Sequence, residues 1–272
     1  MIAKTEAEAR RQAAIMERRR AFIERWAQPK LKRAYIEMSD VTAELYEVGG
    51  SDRITAFKDE VAAPMAKALD EVFKRVNDTL LAMAKKAGKA FGGKVETKAE
   101  DEDLGVVWEE IQRSFTEEAF KQSKIIAETF VADIVDEIRV QAAENLSPAD
   151  IAKAIRDRSK QMAPWKSDMI ARTEAGAAIS EGQASYTESL WDEVEDGPLY
   201  KKWHAVGGSR TRDVHRKMDN AIVPKESTFK VGRDDMRYPH DRRASVGNLV
   251  NCRCSYAFIP EELVPESQRN SD

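Results

Sequence analysis

Tyr200-Lys201-Lys202-Trp203-His204-Ala205-Val206 runs into Gly207-Gly208-Ser209-Arg210-Thr211-Arg212-Asp213-Val214-His215, and the same region closes on Asn251-Cys252-Arg253-Cys254. All three histidines and both cysteines of the 272 residues lie between Tyr200 and Pro260. In this region Gly, Pro, Asn and Asp interrupt short apolar runs, the pattern of strands joined by turns. Strands are expected at 200–206, 221–223 and 252–259, with a helical turn over 212–218. Everything before it reads as helix after helix. The fold class that follows is α+β: a mostly helical N-terminal half with long helices, followed by a small C-terminal α+β domain with short strands.

Working back from that region, the helical half divides at its glycines and prolines. Residues 5–48 carry a thin apolar stripe of Ile15, Phe22, Trp26, Tyr35, Met38 and Leu45, suited to packing on a partner or neighbouring helix. Pro29 is expected to kink or divide this helix, since proline removes a backbone donor. Gly49-Gly50-Ser51-Asp52 stops it and starts the next, with Ser51 or Asp52 as N-cap. A second helix, 53–90, keeps three- and four-residue steps through Ile54, Val61, Met65, Leu69, Val72, Phe73, Val76 and Leu80.

The charged stretch 94–103 lacks an apolar period and reads as a loop. A third helix, 106–145, carries Ile111, Phe115, Phe120, Ile125, Phe130, Ile134 and Ile138 and is expected to lie antiparallel to the second. Ser147-Pro148 opens a short helix that Pro164 ends. A further helix over 165–190 contains Arg172-Thr173-Glu174 and a run of small residues. Arg172 and Glu174 are expected to tie this helix to the strand region by an ion pair. After the acidic stretch 192–196 the strand region begins. The divisions are thus 1–50, a helical docking segment; 51–145, an antiparallel helical region; 146–261, the domain that ends in the strands; and 262–272, a polar tail.

Composition restricts function. Charged residues make up 34% and the net charge is -4, so the chain as a whole does not attract polyanions. The exception is the C-terminal region, where basic residues outnumber acids. Lys201, Lys202, Arg210, Arg212, Arg242 and Arg243 are candidates for contact with nucleic acid or an acidic partner. No stretch approaches the roughly 20 apolar residues of a membrane span. The N-terminus lacks the apolar core of a secretory signal, which points to a cytosolic origin. Two cysteines spaced C-x-C do not make a secreted disulfide framework.

His215 and Asp219 are four residues apart and would share a face on a helical turn. Cys252 and Cys254 would share a face on a strand. A zinc ion accepts two thiolates and an imidazole, with His240 or Asp219 as the fourth ligand. The alternative is two buried free thiols, with His215 bonded to Asp219 or to a main-chain carbonyl. No phosphate-binding glycine loop, dinucleotide fingerprint or hydrolase motif occurs. Residues alone therefore place a binding or structural protein ahead of an enzyme. A metal-dependent nuclease using His215, Asp219 and His240 stays as the other possibility.

Taken together, Leu146-Ser147-Pro148, Ile170-Ala171-Arg172-Thr173-Glu174, Lys202-Trp203, Ser209-Arg210-Thr211-Arg212 with His215 and Met218-Asp219, Tyr238-Pro239 with Asp241, and Asn251-Cys252-Arg253-Cys254 resemble the phage Mu F-like minor head proteins, the phage head morphogenesis family. Three positions depart from the family pattern. Gly208 stands where an acid is usual, Asn220 follows Asp219 where glycine is usual, and His240 replaces the glycine of Tyr-Pro-Gly-Asp. Losing the acid at Gly208 weakens a carboxylate-based catalytic site. Asn220 can still take the left-handed turn. The resemblance implies a virion component of the head interior, made in the bacterial cytoplasm. It implies association with the portal protein, with major capsid or scaffolding protein, and with packaged DNA for ejection. It implies a structural role without catalysis; the candidate structural zinc and the absence of a membrane partner rest on the residues above. The family domain also occurs fused to toxins, but the chain ends shortly after it, where no such module is expected.

Overall fold

The computed structural model describes residues 5–91, 101–143, 147–192 and 197–269. Four long helices precede a region of short strands: α1 (Glu6–Ala56), α2 (Lys58–Phe91), α3 (Asp101–Ala143) and α4 (Pro148–Asp192). The strand region holds β1 (Leu199–His204), α5 (Asp213–Arg216), β2 (Ile222–Pro224), β3 (Phe229–Val231), β4 (Asp234–Met236), α6 (Val246–Leu249) and β5 (Ser255–Pro260). The chain is thus the α+β protein expected.

The helix punctuation follows the glycines more closely than the prolines. In α1 the backbone leaves helical values at Gly49 (φ −156°) and Gly50 (φ 64°), where the stop was expected. Gly50 tolerates the left-handed angle because it has no Cβ. Pro29 does not divide α1, and Pro164 lies inside α4, which is one helix rather than the two expected. A proline removes only one helical donor, and packing on both sides of it can outweigh that loss. Ser147 caps α4 as anticipated: its Oγ accepts the Asp150 N–H at 3.2 Å and donates to the Asp150 carboxylate at 2.6 Å. The loop expected at 94–103 falls outside the described residues up to 100, and Asp101 to Asp103 belong to α3. Leu146 of the family pattern, most of the acidic stretch 192–196, and 270–272 of the tail also lie outside them.

The chain folds into two compact units. One comprises Glu24–Lys74 and Arg113–Ala171 and has no strand among its described residues. Its core is built from Leu31, Tyr35, Met38, Leu69, Phe73, Phe115, Phe130 and Ile155, all buried. Tyr35 meets Phe130 edge-on with ring centroids 5.0 Å apart, and Phe73 meets Phe115 at 5.6 Å. Contacts Asp59–Lys124, Asp70–Thr116 and Phe73–Phe115 run in opposite chain directions, so α2 and α3 are antiparallel as expected. Phe120 and Ile125, expected in the core, are instead exposed; the buried face of α3 is narrower than its apolar period suggests.

The other unit comprises α1 up to Ile23, Arg75–Gln112 and everything from Arg172 onward. Its centre is an antiparallel sheet of order β2-β1-β5, with Trp203 opposite Tyr256 and Lys201 opposite Phe258. Both faces of this sheet are covered. Tyr200, Ala257 and Ile259 pack with Ala9 of α1 on one side. Leu199, Tyr256 and Phe258 pack with Ala184 of α4 on the other. Strands buried on two faces lose the alternation that marks a half-exposed strand. That is why Lys201 and Lys202 are only about 5% exposed despite their charge. The short hairpin β3-β4, absent from the sequence reading, closes over Trp203 and the two cysteines. The thin stripe of α1 splits: Tyr35, Met38 and Leu45 are buried, whereas Ile15 and Phe22 are 36% and 43% exposed, and in the first turns Ala9, Met16 and Ile23, outside the stripe, are the buried residues.

Candidate metal centre and its arginine-lined cleft

His215 sits on α5, a single helical turn, and is 1% exposed. Cys252 and Cys254, at 2% and 3%, lie in the extended segment leading into β5 rather than in the strand itself. Two-residue spacing in extended chain still turns both sulfurs the same way. Each Sγ lies 3.5 Å from the Nδ1 of His215. One imidazole nitrogen has one lone pair and cannot accept two thiol protons well. A tetrahedral zinc with bonds of about 2.3 Å to sulfur and about 2.0 Å to nitrogen separates S from N by about 3.5 Å. The three donors therefore form a cluster able to hold a metal ion, all within 4.8 Å of one another.

The orientation of His215 is fixed from behind. Its Nε2 lies 3.2 Å from the Asn248 Oδ1. The Asn248 amide nitrogen donates to the Val231 carbonyl at 3.0 Å and to the Asp234 carboxylate at 2.8 Å, so its oxygen must face the histidine. Nε2–H thus donates to Asn248, and Nδ1 is left facing the sulfurs. Partners of this kind commonly hold a metal-bound histidine in its ligating tautomer. Asp234 is anchored in turn by the Ser245 N–H and hydroxyl at 2.9 and 2.6 Å, bonds that hold its carboxyl below the usual range. Sequence reading missed Asn248 and Asp234. A lone Asn in Val246-Gly247-Asn248-Leu249 has no spacing that connects it to a histidine 33 residues away.

The thiols are electrostatically unequal. The hydrogen bond between them holds Cys254 down, to about 5, and pushes Cys252 up, with burial raising both. His215 and the Val206 backbone add to the stabilisation of the Cys254 thiolate.

Two residues expected as a fourth ligand are elsewhere. Asp219 follows the end of α5, and its carboxylate accepts the Ala205 N–H at 2.9 Å and the Asn220 amide at 3.1 Å. Four-residue spacing failed because the helix is too short to bring Asp219 round to His215. His240 is wholly buried, with its Nε2 3.2 Å from the Cys254 carbonyl, and burial pushes its pKa well down. It supports the backbone of a ligand instead of ligating. Its φ is +67° and that of Asn220 is +64°, so both hold left-handed angles where the family pattern has glycine. Gly176 of α4 makes room for the His240 ring, which would lie 2.3 Å from a Cβ there.

The remaining pattern residues clamp this region together. Arg172 donates to the Asn251 side chain at 2.5 Å, and the Thr173 hydroxyl accepts the Asn251 N–H at 3.2 Å. Glu174 pairs with Arg242 at 2.7 Å. The tie between this helix and the strand region is therefore present: Glu174 makes the ion pair, and Arg172 holds the neutral Asn251 side chain. Trp203 is fully buried and meets the His215 ring edge-on at 5.8 Å. Tyr238 stacks on Tyr256 with centroids 5.6 Å apart. Pro239 is buried beside it. Asp241 accepts the Arg237 and Arg243 N–H groups at 2.8 and 3.1 Å.

Of the six basic residues expected to face nucleic acid, five have internal partners, four of them away from the cleft described below. Lys201 donates to the Ser227 carbonyl at 2.7 Å, and Lys202 pairs with Glu6 at 2.6 Å. Arg242 pairs with Glu174, and Arg243 pairs with Asp241 at 2.9 Å. Arg210 and Arg212 instead line a cleft of about 530 Å³ with Arg172, Arg253, the Gly207-Gly208-Ser209 turn and all three metal-cluster residues. Arg212 also donates to the Val250 carbonyl at 2.5 Å.

The pattern residues of this small α+β module mostly bond to the protein itself, around the His-Cys-Cys cluster. Residues 134–257 match the family described as Phage Mu protein F like protein. Among curated proteins, the chain is similar to the minor head protein GP7 of Bacillus phage SPP1, at 23% identity over 141 residues. That stretch is 50% of this chain and 44% of the relative, so the chain spans less than half the length of the protein it matches. No solved structure matches the chain.

Proposed function

We propose that this protein is a minor head protein of a tailed bacteriophage or prophage, without catalytic turnover, that associates with the portal during head assembly. The observation behind this is the Mu F-like match over 134–257 together with the minor head protein as relative. The bonding pattern agrees: Arg172, Thr173, Glu174, Asp219, His240 and Asp241 all bond to the protein itself. That arrangement builds a module and leaves no carboxylate lining the cleft, which lowers the standing of a nuclease. No helix among the described residues is long and apolar enough to cross a membrane.

The docking face we assign to α1 is the exposed pair Ile15 and Phe22, seven residues apart and so on one side of the helix. Packaged DNA is a weaker partner, because the basic run of the sequence is largely engaged internally. The test is co-expression with the portal protein and capsid proteins of the same genome. The double variant Ile15→Glu, Phe22→Glu should fold with unchanged helicity yet enter heads at least tenfold less than the parent. Normal incorporation would remove α1 from the docking proposal.

A further inference from the structure

The metal cluster is incomplete as the chain presents it, and the cleft above it has the chemistry to complete it. Among the described residues no fourth His, Cys, Asp or Glu joins His215, Cys252 and Cys254. The cleft onto which all three open is lined by four arginines and no carboxylate. Its neutral oxygens have other work: the Asn251 side chain accepts from Arg172, and the Thr211 hydroxyl donates to the Val206 carbonyl. Ser209 offers only a hydroxyl, which is not among zinc's usual ligands.

We propose that His215, Cys252 and Cys254 hold a zinc ion whose fourth coordination position opens into this cleft and is taken by a side-chain carboxylate from a partner protein. Two thiolates and an imidazole suit zinc, and three protein ligands with one open position are the arrangement of an exchangeable site. The two thiolates cancel the zinc charge. An added carboxylate brings one negative charge, which the surrounding guanidinium groups balance, arginine being suited to paired contact with carboxylate. The depth of the site chooses between anions. The donor residues are 1 to 3% exposed, at the floor of the cleft. A phosphodiester in duplex DNA is flanked by sugars on both sides and cannot descend to them. An aspartate or glutamate side chain has a narrow stem and can. The inference rests on the assembly role above only for the identity of the partner; metal binding and the open position stand on geometry.

The test loads the full-length protein with cobalt(II) as a visible stand-in for zinc and titrates it with acetate, inorganic phosphate and duplex DNA. The expected result is one cobalt per chain, thiolate charge-transfer bands, and ligand-field bands that shift saturably with acetate. Arg210→Ala, an exposed cleft residue, should weaken acetate binding about tenfold and leave the cobalt stoichiometry unchanged. Absence of bound cobalt would overturn the metal. One cobalt with bands indifferent to every anion would overturn the open position. A response to phosphate or DNA without one to acetate would overturn the carboxylate. None of these outcomes depends on whether the protein enters heads, so failure here is distinguishable from failure of the proposed function.

Discussion

Replacing Gly176 by alanine is the smallest change that should disturb the metal cluster from outside it. A Cβ at this position would lie 2.3 Å from Cε1, 2.4 Å from Nδ1 and 2.9 Å from Nε2 of His240. The ring cannot yield easily. It is 1% exposed, its backbone is held at φ +67°, and its Nε2 bonds the Cys254 carbonyl at 3.2 Å. Overpacking a closed site costs about 1–3 kcal/mol. Breaking the buried bond to the Cys254 carbonyl adds about 1–3 kcal/mol. The gain in helix propensity from glycine to alanine returns about 1 kcal/mol. The net expectation is a loss of about 3 kcal/mol.

His240→Gly removes the ring and places the residue best suited to φ +67° at that position, at the expense of a cavity and of one of the two donors to the Cys254 carbonyl, Arg20 keeping the other. The double variant should then accept the introduced methyl group in the vacated space. Urea denaturation of the four proteins measures the coupling, and it should exceed about 1 kcal/mol in favour of the pair. Additive losses, or Gly176→Ala costing under about 0.5 kcal/mol, would refute the claim that this contact is tight.

Asn248→Ala should cost about 2 kcal/mol by leaving the Val231 carbonyl without its side-chain donor and the buried His215 Nε2–H without its acceptor, and should lower metal affinity about 10–100-fold through a loosened His215, read by chelator competition. For Asp241, burial opposes ionisation, but hydrogen bonds from Arg243 and Arg237 outweigh it and hold the carboxyl at about 2. A depressed carboxyl contributes stability that is complete above its unfolded value near 4 and lost as pH falls through about 2. After allowance for solvent screening this amounts to about 1–2 kcal/mol, and Asp241→Asn should flatten stability over that window in acid titrations. Deleting residues before Glu24 should destabilise the strand unit and not merely its docking, because it removes Ala9 from the sheet packing, Glu6 from Lys202, and Arg20 from the Cys254 carbonyl. Circular dichroism melting of the truncated protein checks this.

How much was legible in sequence depended on how local each signal was. The glycine pair at 49–50, the Ser147 cap and the antiparallel α2 and α3 were readable because neighbours within one turn or a steady period fix them. Pro164 misled because its local cost is outweighed by packing distant in sequence. Cys252 and Cys254 beside His215 were anticipated from residue chemistry, but Asp219 and His240 were assigned to the wrong task. A four-residue turn does not carry helical spacing beyond its end, and the left-handed backbone of His240 turns its ring toward α4 and Gly176. The basic run suggested nucleic acid only because its sequence conceals that Lys201 and Lys202 lie in a strand buried on both faces.

The most direct test of the central claim is quantitative mass spectrometry of heads assembled from the genome that encodes this chain, with and without its portal protein. The account predicts the chain in purified heads at low copy, reproducible from head to head, and its loss when the portal is omitted. Its absence from portal-containing heads, or equal incorporation without the portal, would contradict it.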